Sequence, residues 1–141
     1  NGRTPMQWND CENAGFTKAE PWIGVNKNYS RINAESQLKD EDSIFHYYKK
    51  LVALRKEYDV IAYGDIKPID AMNPSVFAYE RTYNNENLVV ICNFYGEELT
   101  WKCDRDLSGY EVLAANYAEQ NINGAEVSLR PYEAMILYRA E

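Results

Sequence analysis

Histidine is nearly missing from this chain: His46 is the only one, and the three cysteines, Cys11, Cys92 and Cys103, are odd in number and far apart. That scarcity removes whole classes of chemistry. A zinc site needs Cys and His at short spacings, and there is neither a CxxC pair nor a second His. A Ser, His and Asp triad would have to use His46, beside which the sequence places no nucleophile. Cysteines so spread do not form a disulfide framework; three free thiols are expected, which favours a reducing compartment, and the cytoplasm is the expected location. Glycine-rich phosphate loops are absent as well. No metal and no cofactor is expected.

Long apolar runs and positive charge are also in short supply. The longest apolar run, Leu88 to Cys92, falls far below the ~20 residues of a membrane span. The first residues, NGRTPMQWND, show no charged region followed by an apolar one, so no leader is expected from them. Fifteen Lys and Arg stand against 22 Asp and Glu, a formal net charge of −7. This disfavours nucleic acid and anionic membrane surfaces as partners and suits neutral or polar ligands.

What is present is the composition of a folded protein. Apolar residues make up 45% and aromatics 13%, with 12 Tyr and 3 Trp in 141 residues, enough for one ordinary domain or a small one carrying part of a neighbour. Residues 1–39 are dense in Asn, Gly, Pro and Ser and keep no period of 2 or 3.6, so they read as a long irregular segment. Loops of that length are usually functional or belong to a larger fold. Trp8, Phe16 and Trp22 within it imply packing against something.

From Asp40 to Lys56 the spacing predicts a helix, with Ile44, Phe45, Tyr48, Leu51 and Val52 on one face. Asp40 is the expected N-cap, acids lead and Arg55 and Lys56 close it, as the helix dipole favours. After Tyr58, short runs separated by turn residues read as antiparallel strands: VIAY, IKPIDAM, VFAYERTY, LVVICNF, LTWKC, GYEVLAANY, EVSL and AMILYRA. Seven or eight strands at that interval predict a β-sandwich. Pro68 and Pro131 belong at edges or turns. The expected fold is therefore mainly β: an irregular segment and one helix over 1–58, then an antiparallel sandwich over 59–141.

A glycosidase needs two carboxyl groups facing each other across a cleft, and no pair can be nominated. The acids fall mostly in turns or beside the helix, where solvated surface is their ordinary role. His46 reads as structural. Trp8, Trp22 and Trp101 could stack on sugars, but burial in a core or interface is the better expectation for each.

The segment RTPMQW, from Arg3 to Trp8, followed by NAGFT, PWI and VNKNY, resembles the region after the last barrel strand in the oligo-1,6-glucosidase branch of the α-amylase family, glycoside hydrolase family 13. The likeness continues through DEDSIFHYYKKLVALRK, NPSVFAYERTY, LVVICNF and LRPYEAMILY, and so covers essentially the whole chain. It implies that the helix and the loop before it are left over from a (β/α)8 barrel whose catalytic acids lie upstream. It also implies a retaining α-glucosidase acting on short α-1,6-linked glucosides, of which this chain is an inactive C-terminal fragment. Arg3 is the one residue to which the resemblance assigns substrate binding, at the floor of the pocket for the terminal glucose and paired with a barrel Asp. The implied partners are the rest of the barrel and an oligosaccharide; the helix over 40–56, without that barrel, could pair with a second copy. A trehalose-phosphate hydrolase remains open, as does a free-standing sugar-binding or interaction module. The chain departs from the family's pattern at Asn9 and Gly2, where Asp and Ala are usual.

Overall fold

Strand patterning after residue 64 is borne out in the computed structural model, which describes residues 2–140. Two compact units, residues 1–53 and 54–141, divide the chain.

In the second unit, eight strands form two antiparallel sheets. The larger has the order β1-β2-β3-β8-β5, built from β1 (Asp65–Ile69), β2 (Val76–Tyr83), β3 (Glu86–Asn93), β5 (Glu111–Ala115) and β8 (Ala134–Ala140). The smaller has the order β4-β7-β6, from β4 (Leu99–Lys102), β6 (Asn121–Asn123) and β7 (Glu126–Leu129). Period-2 alternation decides which side chains enter the core. Val76, Ala78, Val89, Ile91, Met135 and Leu137 from the large sheet meet Trp101, Val127 and Leu129 from the small one in a single buried cluster. Leu88 and Val89 are buried in succession, as the unbroken apolar run of β3 implied.

Turn chemistry closes the strands where the sequence marks it. Asn73 Oδ1 accepts from the backbone N–H of Ser75 and of Val76, each at 2.9 Å, and so launches β2. Asn84, at φ 50°, turns β2 into β3, a conformation Asn tolerates better than most residues. Pro68 lies in β1, at one edge of the large sheet, while β5 at the other edge carries an irregularity between Val112 and Ala114.

Three sequence expectations need correction. VIAY is not a strand: Asp59–Tyr63 forms a short helix. A four-residue apolar run cannot separate helix from strand by period alone, and here Arg81 settles it by donating from Nε to Val60 O (3.1 Å) and from Nη2 to Gly64 O (2.6 Å). Residues 1–39 are not wholly irregular, since 3₁₀ turns occupy Glu12–Gly15 and Lys27–Ser30 and a helix spans Ala34–Lys39. That helix exists because Asn33 and Ser36 form a capping box, with Ser36 N–H donating to Asn33 Oδ1 at 2.8 Å. The main helix runs Ile44–Glu57, not from Asp40. We number these three helices α1 (Ala34–Lys39), α2 (Ile44–Glu57) and α3 (Asp59–Tyr63).

Asp40 ends α1, and buried Ser43 stands before α2, its Oγ accepting from His46 N–H at 3.4 Å. His46 Nδ1 donates to Asp40 O at 2.8 Å. This is the structural role expected of it. The division of the chain into these units falls within the α2 sequence, between Ala53 and Leu54.

Candidate functional site

Arg3 opens the RTPMQW segment, and the residues after it are fixed by local hydrogen bonds in the first unit. Gln7 O accepts from Ala34 N–H and Trp8 O from Glu35 N–H, both at 2.9 Å. The first N–H groups of α1, which have no partner inside their own helix, thereby find one. Gln7 Nε2 donates to Asn28 Oδ1 at 3.0 Å and also to Ile32 O. On the other side, Trp8 N–H donates to Ala14 O at 2.9 Å, where the chain turns back through Asn13, Ala14 and Gly15, all with positive φ. Gly15 is required: at φ +68°, an added Cβ would lie 2.5 Å from Asn9 Oδ1. Asn9 Oδ1 in turn accepts from Cys11 N–H at 3.1 Å, a bond an Asp carboxylate could also accept, so the departure from the family pattern leaves this contact intact.

Arg3 itself is exposed, its guanidinium carbon 5.8 Å from the centroid of the Trp22 ring, a distance at which a cation is attracted to the ring face. Sequence reasoning placed Arg3 and Trp22 in one loop but did not bring them together. Trp22 is 87% exposed and Trp8 52%, so neither ring enters a core of this chain, whereas Trp101 is buried and donates Nε1–H to Asp70 Oδ2 at 3.1 Å.

Glu80, Asp104 and Glu133 in the second unit are held ionised. Arg105 bridges Glu80 and Asp104, donating from Nε to Asp104 Oδ1 at 2.8 Å and from Nη1 to Glu80 Oε2. Its hydrogen bonds keep both carboxyls below their ordinary pKa, and Lys67, 3.7 Å from Glu80, adds to the effect. Burial alone would raise Glu133, but the Arg130 hydrogen bonds outweigh it and hold this carboxyl below its usual value too. A glycosidase acid must do the opposite and keep its proton near neutrality. Among the described residues, every carboxyl with a resolved shift moves down, so none of these is an acid catalyst in waiting. No group of three metal-ligating side chains occurs among the described residues either.

Comparison with known proteins matches both units. Residues 1–64 match the family model "Alpha amylase, catalytic domain", and residues 76–136 match "Alpha-amylase SusG C-terminal domain". The oligo-1,6-glucosidase of Bacillus cereus is 50% identical over 138 residues, covering 96% of this chain and 25% of that protein. The trehalose-6-phosphate hydrolase of Bacillus subtilis is 42% identical, over 99% of this chain and 25% of that protein. Among solved structures, trehalose-6-phosphate hydrolase of Bacillus licheniformis superposes with a TM-score of 0.91 at 44% identity, covering all of this chain and 26% of that one. The chain thus spans about a quarter of the length of the relatives it matches. With catalytic-domain sequence in its first 64 residues and C-terminal-domain sequence in its sandwich, it belongs to the α-amylase family of glycoside hydrolases, glycoside hydrolase family 13, with oligo-1,6-glucosidases among its relatives.

Proposed function

We propose that this chain is the C-terminal part of a retaining α-glucosidase of the cytoplasm, which removes glucose from the non-reducing end of short α-1,6-linked glucosides. The observation that carries the reading is the 50% identity to an oligo-1,6-glucosidase across 96% of the chain. The catalytic Asp and Glu belong to the rest of the barrel, where a covalent glucosyl-enzyme forms and water releases the sugar. Arg3 contributes to the floor of the glucose pocket: its planar fork can hold a barrel carboxylate and donate to sugar hydroxyls from a fixed geometry, which an ammonium does less well. The bonds of Gln7 and Trp8 to α1 support this role by fixing the backbone that follows Arg3.

A chimera tests the reading: this chain replaces the matching quarter of the Bacillus cereus oligo-1,6-glucosidase, and isomaltose hydrolysis is assayed. We expect activity in the chimera and none from the chain alone. Arg3→Lys in the chimera should lower kcat/KM by roughly 10- to 100-fold, as expected for losing about 1.5 to 3 kcal/mol of charged hydrogen bonding. A fully active Arg3→Lys chimera would remove Arg3 from the pocket, and turnover by the purified chain alone would overturn the division of labour. The 42% identity to a trehalose-6-phosphate hydrolase supports a second reading; the parallel chimera with that enzyme, active where the first is not, would favour it.

A further inference from the structure

The outer face of the small sheet is polar in an ordered way. Trp101, Val127 and Leu129 point into the core and Ile122 packs against it, so alternation sends Thr100, Ser128 and Asn121 to the other side. The register aligns these three: Thr100 lies opposite Ser128, and Ser128 opposite Asn121. They form one rung across three strands, with neighbours roughly 4.8 Å apart. Thr100 and Asn121 are exposed and Ser128 is half-buried, so solvent reaches all three residues. The rung lines an open groove of about 700 Å³, within the ~300 to 1,000 Å³ typical of small-ligand sites.

At one end of the rung the groove is preorganised. Gln120 donates from Nε2 to Tyr117 O at 2.7 Å, which fixes its amide and leaves Oε1 as an acceptor. Arg130 is held on three sides. Its Nε and Nη2 donate to the fully buried Glu133 at 2.9 and 2.8 Å, Nη2 also reaches Glu119 O, and the guanidinium carbon stands 4.0 Å from the Tyr117 ring centroid. Nη1 keeps its two N–H donors for a ligand.

We propose that this groove on the outer face of β4, β7 and β6 binds a neutral oligosaccharide, at a site separate from Arg3. Hydroxyl and amide groups both donate and accept, as sugar hydroxyls do, and so suit a ligand of mixed polarity better than a purely anionic one. Charge points the same way. Arg130 is matched by Glu133, while Glu98 and Glu119 also line the groove, so a phosphate or carboxylate ligand would meet repulsion.

The test is an NMR titration of the 141-residue chain with isomaltotriose, followed by amide shifts. Saturable shifts at Thr100, Gln120, Asn121 and Ser128 are expected, with a Kd on the order of 1 mM. A Thr100→Val/Ser128→Ala/Asn121→Ala variant should bind roughly tenfold or more weakly; Asn121→Ala alone, at an exposed position, guards against a folding defect. No saturable shift, or shifts confined to Arg3 and Trp22, would overturn the groove and leave the proposed role of Arg3 standing. The same shifts produced by inorganic phosphate would overturn the neutral ligand class. Because no catalytic acid is needed for binding, failure of the glucosidase chimera would not touch this result.

Discussion

The carboxylate of Glu133 holds the guanidinium of Arg130 at two points, Oε1 accepting from Nη2 at 2.8 Å and Oε2 from Nε at 2.9 Å. The partners are unequal: the Glu133 side chain is fully buried, while that of Arg130 is 37% exposed. Removing the arginine strands a buried charge, whereas removing the charge leaves an arginine that water can still reach. Arg130→Met should therefore destabilise the chain more than Glu133→Gln, which should cost about 1 to 2 kcal/mol. Urea unfolding of the two variants measures this, and a larger loss for Glu133→Gln would contradict the asymmetry.

Acid should weaken the sandwich through the same kind of contact. Glu80 and Asp104 are held low by Arg105 hydrogen bonds, and Glu133 stays low against its own burial. Their folded pKa values lie below the unfolded ones, so the unfolded chain binds more protons as pH falls through that window. The stabilisation is fully present above the unfolded carboxylate value of about 4.3 and is lost as pH drops toward the folded values. The urea midpoint should decline below about pH 4.5, and Arg105→Met should flatten the decline by freeing two of the three carboxyls. A midpoint that rises on acidification would refute the assignment.

Helix α2 leaves its apolar stripe in water: Ile44 is 81% exposed, Tyr48 68%, Phe45 43% and Val52 40%. Each such side chain contributes roughly 1.5 to 3 kcal/mol when buried. We propose that, in the chain alone, two copies cover each other through this stripe. Light scattering should show a mass that rises with concentration, and Tyr48→Asp should return it to that of a monomer. A wild type that stays monomeric at all concentrations would rule this pairing out.

How far the sequence could be read depended on whether a feature was local. Strands β2, β3 and β8 announce themselves by alternation or by unbroken apolar runs, and Asn73 and Asn84 mark their turns. Strand β6, Asn121–Asn123, is too short to show a period, and its existence rests on pairing with β7. α3 and α1 were missed for opposite reasons. The first is an apolar run whose helical form is chosen by Arg81 from a distant strand; the second is a six-residue helix too short to show an apolar period and exists by virtue of its cap at Asn33 and Ser36. Arg3 was legible because it lies in a specific motif, but the Trp22 ring near it was not. The Thr100, Ser128 and Asn121 rung needs the register of three strands, which no single segment contains.

The two ends of the large sheet have a consequence for how this protein behaves in a crowded solution. A free strand edge offers unpaired N–H and C=O groups to any other chain, and repeated edge pairing leads to fibrils. On β1 the ring of Pro68 removes a donor beside charged Lys67. On β5 the irregularity between Val112 and Ala114 breaks the even spacing that a new strand would need. Both borders are thus poor templates for the addition of a strand from another chain.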